Sequence, residues 1–192
     1  MRTRTLLTAT SVALLTLTGC SSNTSDDPKA DKPGTSASPT PSDSATPTPA
    51  APLTFGQPTN ADDREAGTAA NVTVLGYEQG KVKTHASADE EFGTTGYVWA
   101  TVDLKVCSTK GTVGMTRNPW ELAYSDGTRI RPSSATYGDF PKPEYPYEAQ
   151  VKVGDCVRGK TVFAVPAKQR PERVIYTSEA VPVQPEWSVP KA

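Results

Sequence analysis

The chain has 192 residues, 35% hydrophobic and 21% charged, with 18 prolines, 14 glycines, 3 cysteines and a single histidine. That length fits one ordinary domain with tails. A formal net charge of −1 supplies no basic field for nucleic acid, and so few histidines and cysteines leave little room for a metal centre, so neither a metal nor a cofactor is expected.

In chain order, Arg2 and Arg4 form a short basic head. Leu6 to Thr18 is apolar, rich in threonine and too short to span a bilayer as a helix. A basic head before such a run is the profile of a secretory signal, and Arg-Thr-Arg in place of twin arginines points to the general export route. The run ends in Leu17-Thr18-Gly19-Cys20, which resembles the bacterial lipobox. The resemblance implies that residues 1–19 are removed and that the Cys20 thiol carries a diacylglyceryl group. The alternative is an ordinary signal peptide cut nearby, leaving a free cysteine. Each buried CH₂ of an acyl chain contributes about 0.8 kcal/mol, so two or three chains hold a small protein at the outer face of the cytoplasmic membrane.

Residues 20–52 are mostly Ser, Thr, Pro, Ala and Asp, with Pro28, Pro33, Pro39, Pro41, Pro47, Pro49 and Pro52 spread along them. Such a segment buries too little to offset chain entropy and is expected to be a disordered tether. Proline biases it toward polyproline II at roughly 3.1 Å per residue, a reach of about 100 Å when stretched. The same composition suits O-glycosylation, although a passive spacer is the simpler expectation.

Residues 53–192 form the expected folded domain, large enough for one core. Alternation replaces helical periodicity. Asn71 to Tyr77 reads as a strand with Val72 and Val74 inward. In Tyr97 to Cys107, Val98, Ala100, Val102, Leu104 and Val106 share one face, and Trp99, Thr101, Asp103 and Lys105 the other. Tyr97 and Trp99, on the outward face, are either exposed for binding or covered by another segment. Trp120 to Ile130 is a hairpin around Ser125-Asp126-Gly127, because Asp-Gly tolerates positive φ. Val157 to Val165, ended by Pro166, and the runs Arg173 to Ser178 and Glu186 to Val189 close the series. About seven or eight short strands predict an all-β, immunoglobulin-like antiparallel β-sandwich.

Three segments carry a family resemblance: Trp120-Glu121-Leu122 through Asp126-Gly127-Thr128, Val153-Gly154-Asp155 followed by Gly159 to Pro166 (GKTVFAVP), and Val174-Ile175-Tyr176. Together they resemble secreted bacterial domains of the telokin-like or immunoprotective extracellular antigen type, common on lipoproteins and of unknown function. Val-Gly stands where that family often has Pro-Gly, and Cys107 and Cys156 occur in only some members. The resemblance implies the sandwich fold and no particular activity.

With Cys20 assigned to lipid, Cys107 and Cys156 remain, and in an exported domain a disulfide is the default. Closing a loop of about 50 residues stabilises by roughly 4 kcal/mol in the chain-entropy model. By strand parity both cysteines point away from the core, which predicts a bridge on an outer face rather than between sheets. The rival is a free redox-active pair, for which no Cys-x-x-Cys spacing exists.

Catalytic constellations are sparse. His85 sits in a polar stretch that reads as loop, and no Gly-x-Ser-x-Gly elbow accompanies it. Asp89-Glu90-Glu91 lacks the spacing of a calcium loop and reads as a solvated acidic loop. The segment Thr136 to Tyr147 (TYGDFPKPEYPY) stands apart, with Tyr137, Phe140, Tyr145 and Tyr147 among three prolines. Long irregular connections are often functional, and aromatic side chains give contact area at low entropic cost. These four residues are the candidate binding surface, for a protein or for cell-wall sugars that stack on tyrosine; the alternative is that they cap the open end of the sandwich. The overall expectation is a membrane-anchored extracytoplasmic lipoprotein displaying a non-catalytic binding domain. Its rivals are a small enzyme acting on wall polymers, which needs two facing carboxylates in a cleft, and a carrier of a small ligand or metal.

Overall fold

The computed structural model describes residues 51–179 and 181–191. The expected signal peptide, Cys20 and the tether up to residue 50 lie outside them.

Among the described residues, ten strands and one short helix follow in order: β1 Thr59–Asp63, β2 Thr68–Gln79, α1 Ala88–Phe92, β3 Tyr97–Lys110, β4 Val113–Thr116, β5 Trp120–Ala123, β6 Arg129–Ile130, β7 Glu148–Val151, β8 Cys156–Pro166, β9 Arg173–Tyr176 and β10 Glu186–Ser188. The first sheet has the order β1-β2-β3-β8, the second β10-β9-β5-β6, and β4 pairs with β7. All strand pairs are antiparallel, so the expected all-β sandwich is what the chain forms.

The core lies between the two sheets. On β3 the inward residues Ala100, Val102, Leu104 and Val106 are buried, as the alternation requires. They meet Trp120, Leu122, Val174 and Trp187 of the second sheet. Trp120 and Trp187 are fully buried with ring centroids 5.9 Å apart. Each large side chain withdrawn from water here contributes about 1.5–3 kcal/mol. Strand β2 shows a departure from simple alternation. Ala70, Val72 and Val74 face the core, and so does Tyr77, out of parity with them. A register shift between Val74 and Gly76 explains it, because one extra residue in a strand turns the following side chains to the opposite face.

The hairpin between β5 and β6 forms where Asp-Gly places it. Gly127 has φ of 87°, its N–H donates to the Tyr124 carbonyl, and the Asp126 carboxylate accepts from the Thr128 N–H at 2.9 Å.

Cys107 and Cys156 are bonded and face each other in register on the neighbouring strands β3 and β8, Cα to Cα 4.0 Å. They share the outer face with Trp99, Asp103 and Arg158, and the Arg158–Asp103 ion pair (2.7 Å) spans the same two strands. The bridge is therefore within one sheet and outside the core, as the parity predicts.

The acidic triplet is not a solvated loop. Asp89, Glu90 and Glu91 occupy the first turn of α1. Ser87 Oγ accepts from the Glu90 N–H while the Glu90 carboxylate accepts from the Ser87 N–H, and Gly93 ends the turn at φ 56°. This reciprocal cap holds a five-residue helix that its length alone would not sustain. Asp89 accepts from the Tyr97 N–H at 2.7 Å and so ties the helix to the start of β3.

Candidate functional site

The outer face of β3 and β8 carries Trp99, Val162 and Ala164, a small apolar patch that a two-layer sandwich leaves in water. The chain covers it. Ala88 of α1 and Phe140 pack on these three residues as a second buried cluster, with Val82, Tyr97 and Tyr137 at its margin. Phe140 is 2% exposed and stands edge-on to Trp99 at 5.3 Å. Tyr137 is half-buried and edge-on to Phe140 at 5.1 Å, and its hydroxyl donates to Glu91 at 2.6 Å. That hydrogen bond to a carboxylate holds the phenol proton and raises its pKa above the ordinary tyrosine value. The Trp99 indole N–H donates to the Ala86 carbonyl. His85 is exposed in the adjoining loop, and its backbone N–H donates to Asp139 at 2.6 Å. Trp99 is thus covered by another segment, through two of the four aromatic candidates, Tyr137 and Phe140, while Tyr97 lies partly buried at the margin, stacked on Phe92.

Tyr145 goes elsewhere. It is fully buried in the main core, with its hydroxyl 3.7 Å from the Met115 sulfur, and burial raises its pKa above the usual range. Its backbone runs beside β8, where the Tyr145 N–H donates to the Lys160 carbonyl and the Lys160 N–H to the Pro143 carbonyl. The approach is close enough that a Cβ on Gly159 would collide with the Tyr145 backbone, 2.6 Å from its Cα. The Arg117 side chain, 7% exposed, fastens this segment through the Tyr145 carbonyl (2.6 Å) and Glu144 (2.7 Å). Partial burial pushes the Glu144 pKa up, but hydrogen bonds and charge from Lys142 and Arg117 outweigh it and leave the carboxyl below its ordinary value.

Of the four candidate contact residues, Tyr147 alone is well exposed, at 60%, with the Arg117 guanidinium 5.9 Å from its ring centroid. Tyr137, Phe140, Tyr145 and Tyr147 therefore do not form one binding surface. Phe140 and Tyr145 are withdrawn into two different clusters because each covers apolar surface that the sheets alone leave open.

A groove of about 510 Å³ lies at another edge of the domain, among Ala51 to Leu53, β1 and the connection Val181 to Pro185. Its lining includes Pro52, Leu53, Val183 and Pro185 together with the charged Asp62, Arg64, Arg173 and Glu186. Such a volume lies within the usual size range of ligand clefts. Sequence reasoning missed it because its walls come from three separate segments without a shared motif. Its two carboxylates each contact an arginine: Glu186 with Arg173 at 2.6 Å and Asp62 with Arg64 at 3.7 Å. Among the described residues no group of three or more His, Cys, Asp or Glu is placed to hold a metal ion.

The chain matches no family model and no curated protein. Among solved structures it resembles MPT63, a secreted protein from Mycobacterium tuberculosis, at 16% identity and a TM-score of 0.54, over 76% of this chain and 99% of that one. The fold is similar to the MPT63 β-sandwich. The YjhA protein from Bacillus subtilis also aligns, at 11% identity and a TM-score of 0.48, over 72% of this chain and 99% of that one.

Proposed function

We propose that this protein is an extracytoplasmic lipoprotein, held at the outer face of the cytoplasmic membrane by a diacylglyceryl group on Cys20, which displays its β-sandwich as a non-catalytic interaction domain on a proline-rich stalk. The observation that carries the reading is the division of the three cysteines. Cys107 and Cys156 are bonded to each other, which fits an oxidising compartment outside the cytosol. Cys20 is left as the one remaining thiol, at the end of an apolar run and in front of the polar stalk. The secreted MPT63 protein, of the same fold, is consistent with export.

The partner class that fits is a protein or a cell-wall polymer met at the membrane surface. Tyr147 is the aromatic of the Thr136–Tyr147 segment left free to make such a contact, with Arg117 beneath its ring. Two experiments test the proposal. Cells expressing the protein are labelled with palmitate and partitioned in detergent; the native chain takes label and enters the detergent phase, while Cys20→Ser loses both. Label and partition unchanged in Cys20→Ser would refute the anchor. Surface crosslinking with the intact lipoprotein then compares native and Tyr147→Ser, and equal capture by both would remove Tyr147 from the contact.

A further inference from the structure

Strand β7 is paired on one side only. Its ladder runs with β4, and among the described residues no strand lies along its other edge. Such an edge presents unpaired N–H and C=O groups and is a template for a further strand. Other edges are less open or less suited. The outer edge of β10 is bridged by Leu53 and that of β8 by Glu144. Strand β1 ends in Asp62 and Asp63 with no cation toward its start, so a second copy of it offers those charges nothing. What sets β7 apart is the order of residues around it. Tyr147 at its entry and Val153 in the turn at its exit are exposed apolar side chains, at 60% and 62%. Between them, the exposed Glu148 and Lys152 carry opposite charges. These four positions are symmetric about Gln150.

We propose that β7 is a self-association edge, which pairs antiparallel with β7 of a second copy about a two-fold axis through Gln150. That axis sets Glu148 opposite Lys152, Tyr147 opposite Val153 and Ala149 opposite Val151, each twice, as an isologous contact requires. Opposite charges and aromatic–aliphatic pairs across antiparallel strands are favourable. A slip of one residue puts Lys152 opposite Tyr147 and Glu148 opposite Val151, and loses both matches. Charged side chains on an edge ordinarily keep strands apart; here their order makes self-pairing the attractive case. The Arg117 guanidinium lies over one face of the Tyr147 ring, which leaves the other face for the partner. So short a strand falls below the roughly 20–30 residues a side of a standard stable interface, so the dimer is weak and forms where copies are concentrated. The inference rests on the reading of Tyr147 as a contact residue and names a second copy of this chain as the protein it meets.

The test uses the full chain carrying Cys20→Ser, disulfide intact, in sedimentation over a concentration series up to about 1 mM, the range that tethering imposes. The expected result is a monomer–dimer equilibrium that Glu148→Lys weakens about tenfold, because both ion pairs become like-charge pairs. Glu148→Lys/Lys152→Glu exchanges the charges and restores association, which shows that the single variant fails by charge and not by misfolding. Register is read by mild oxidation of single-cysteine variants. Gln150→Cys meets its own copy across the axis at about 4.5–5.5 Å between Cα atoms, within reach of a disulfide, and gives a covalent dimer. Two copies of Glu148→Cys lie four positions apart, about 13 Å, and do not. A chain that stays monomeric throughout overturns the proposal, as does a dimer indifferent to Glu148→Lys or a double variant as weak as the single one. Equal crosslinking of the two cysteine variants overturns the register and with it the two-fold pairing. None of these readouts depends on the lipid, so failure here and failure of the palmitate test remain distinguishable.

Discussion

The two faces of β3 solve the same problem in different ways. Its inner face is a row of Ala, Val and Leu covered by the second sheet, with Trp120 and Trp187 at the centre. Its outer face is polar except near Trp99, and the cover there is a five-residue helix and a proline-interrupted connection. The inner cover is a regular element repeated along the strand, so it leaves an alternating pattern. The outer cover is assembled from single contacts: Phe140 on Trp99, Tyr137 on Glu91, Ser87 on Glu90. It follows that an aromatic-rich loop on a β-sandwich is as readily a patch over one exposed tryptophan as a surface offered to a partner.

Substitutions separate the two covers by size of effect. Trp187→Ala empties the centre of the inner core and is expected to destabilise by about 3–5 kcal/mol in urea unfolding; a loss under 1 kcal/mol would mean that the sheets do not meet there. Gly159→Ala forces the Tyr145 backbone away from β8 and is expected to cost about 1–3 kcal/mol, with the Tyr145 contact to Met115 loosened in near-ultraviolet circular dichroism. Ser87→Ala removes one half of the α1 cap at about 1 kcal/mol. Its mark is local: the Trp99 indole proton exchanges faster while the amides of Val102 and Leu104 stay protected.

The smallest effect is electrostatic. The carboxyl of Glu144 titrates below its ordinary value in the folded chain, so the unfolded chain binds its proton first as pH falls. Its contribution is complete above the unfolded pKa of about 4.3 and is lost as pH drops through the folded value. The stability difference between native and Glu144→Gln should therefore be constant near neutrality and shrink below that point. A difference that is flat down to acid pH would contradict the Arg117–Glu144–Lys142 arrangement.

Much of the inner layer was legible in the sequence because regular alternation encodes it: β2, β3, β8 and the Asp-Gly hairpin all stand where the pattern places them. The outer-face disulfide was legible for the same reason, since parity alone sets the side on which Cys107 and Cys156 lie. Strand β1 was not, because Thr-Asn-Ala-Asp-Asp is poor strand sequence, held in place by its pairing with β2. Helix α1 is too short to show a period, although Ser87-x-x-Glu90 is a capping box in plain sequence. The fate of the four aromatics was not legible either. Phe140 and Tyr147 have the same kind of neighbours, prolines and charges, and differ only in what the fold brings beneath them: Trp99 in one case, the Arg117 guanidinium and solvent in the other.

That difference is open to one direct measurement, the urea unfolding of Phe140→Ala beside Tyr147→Ala. If the Thr136–Tyr147 segment is the domain's own cover, Phe140→Ala loses about 3 kcal/mol and Tyr147→Ala stays within about 0.5 kcal/mol of native. Two small and equal losses would contradict the account and return the whole segment to the role of an exposed binding surface.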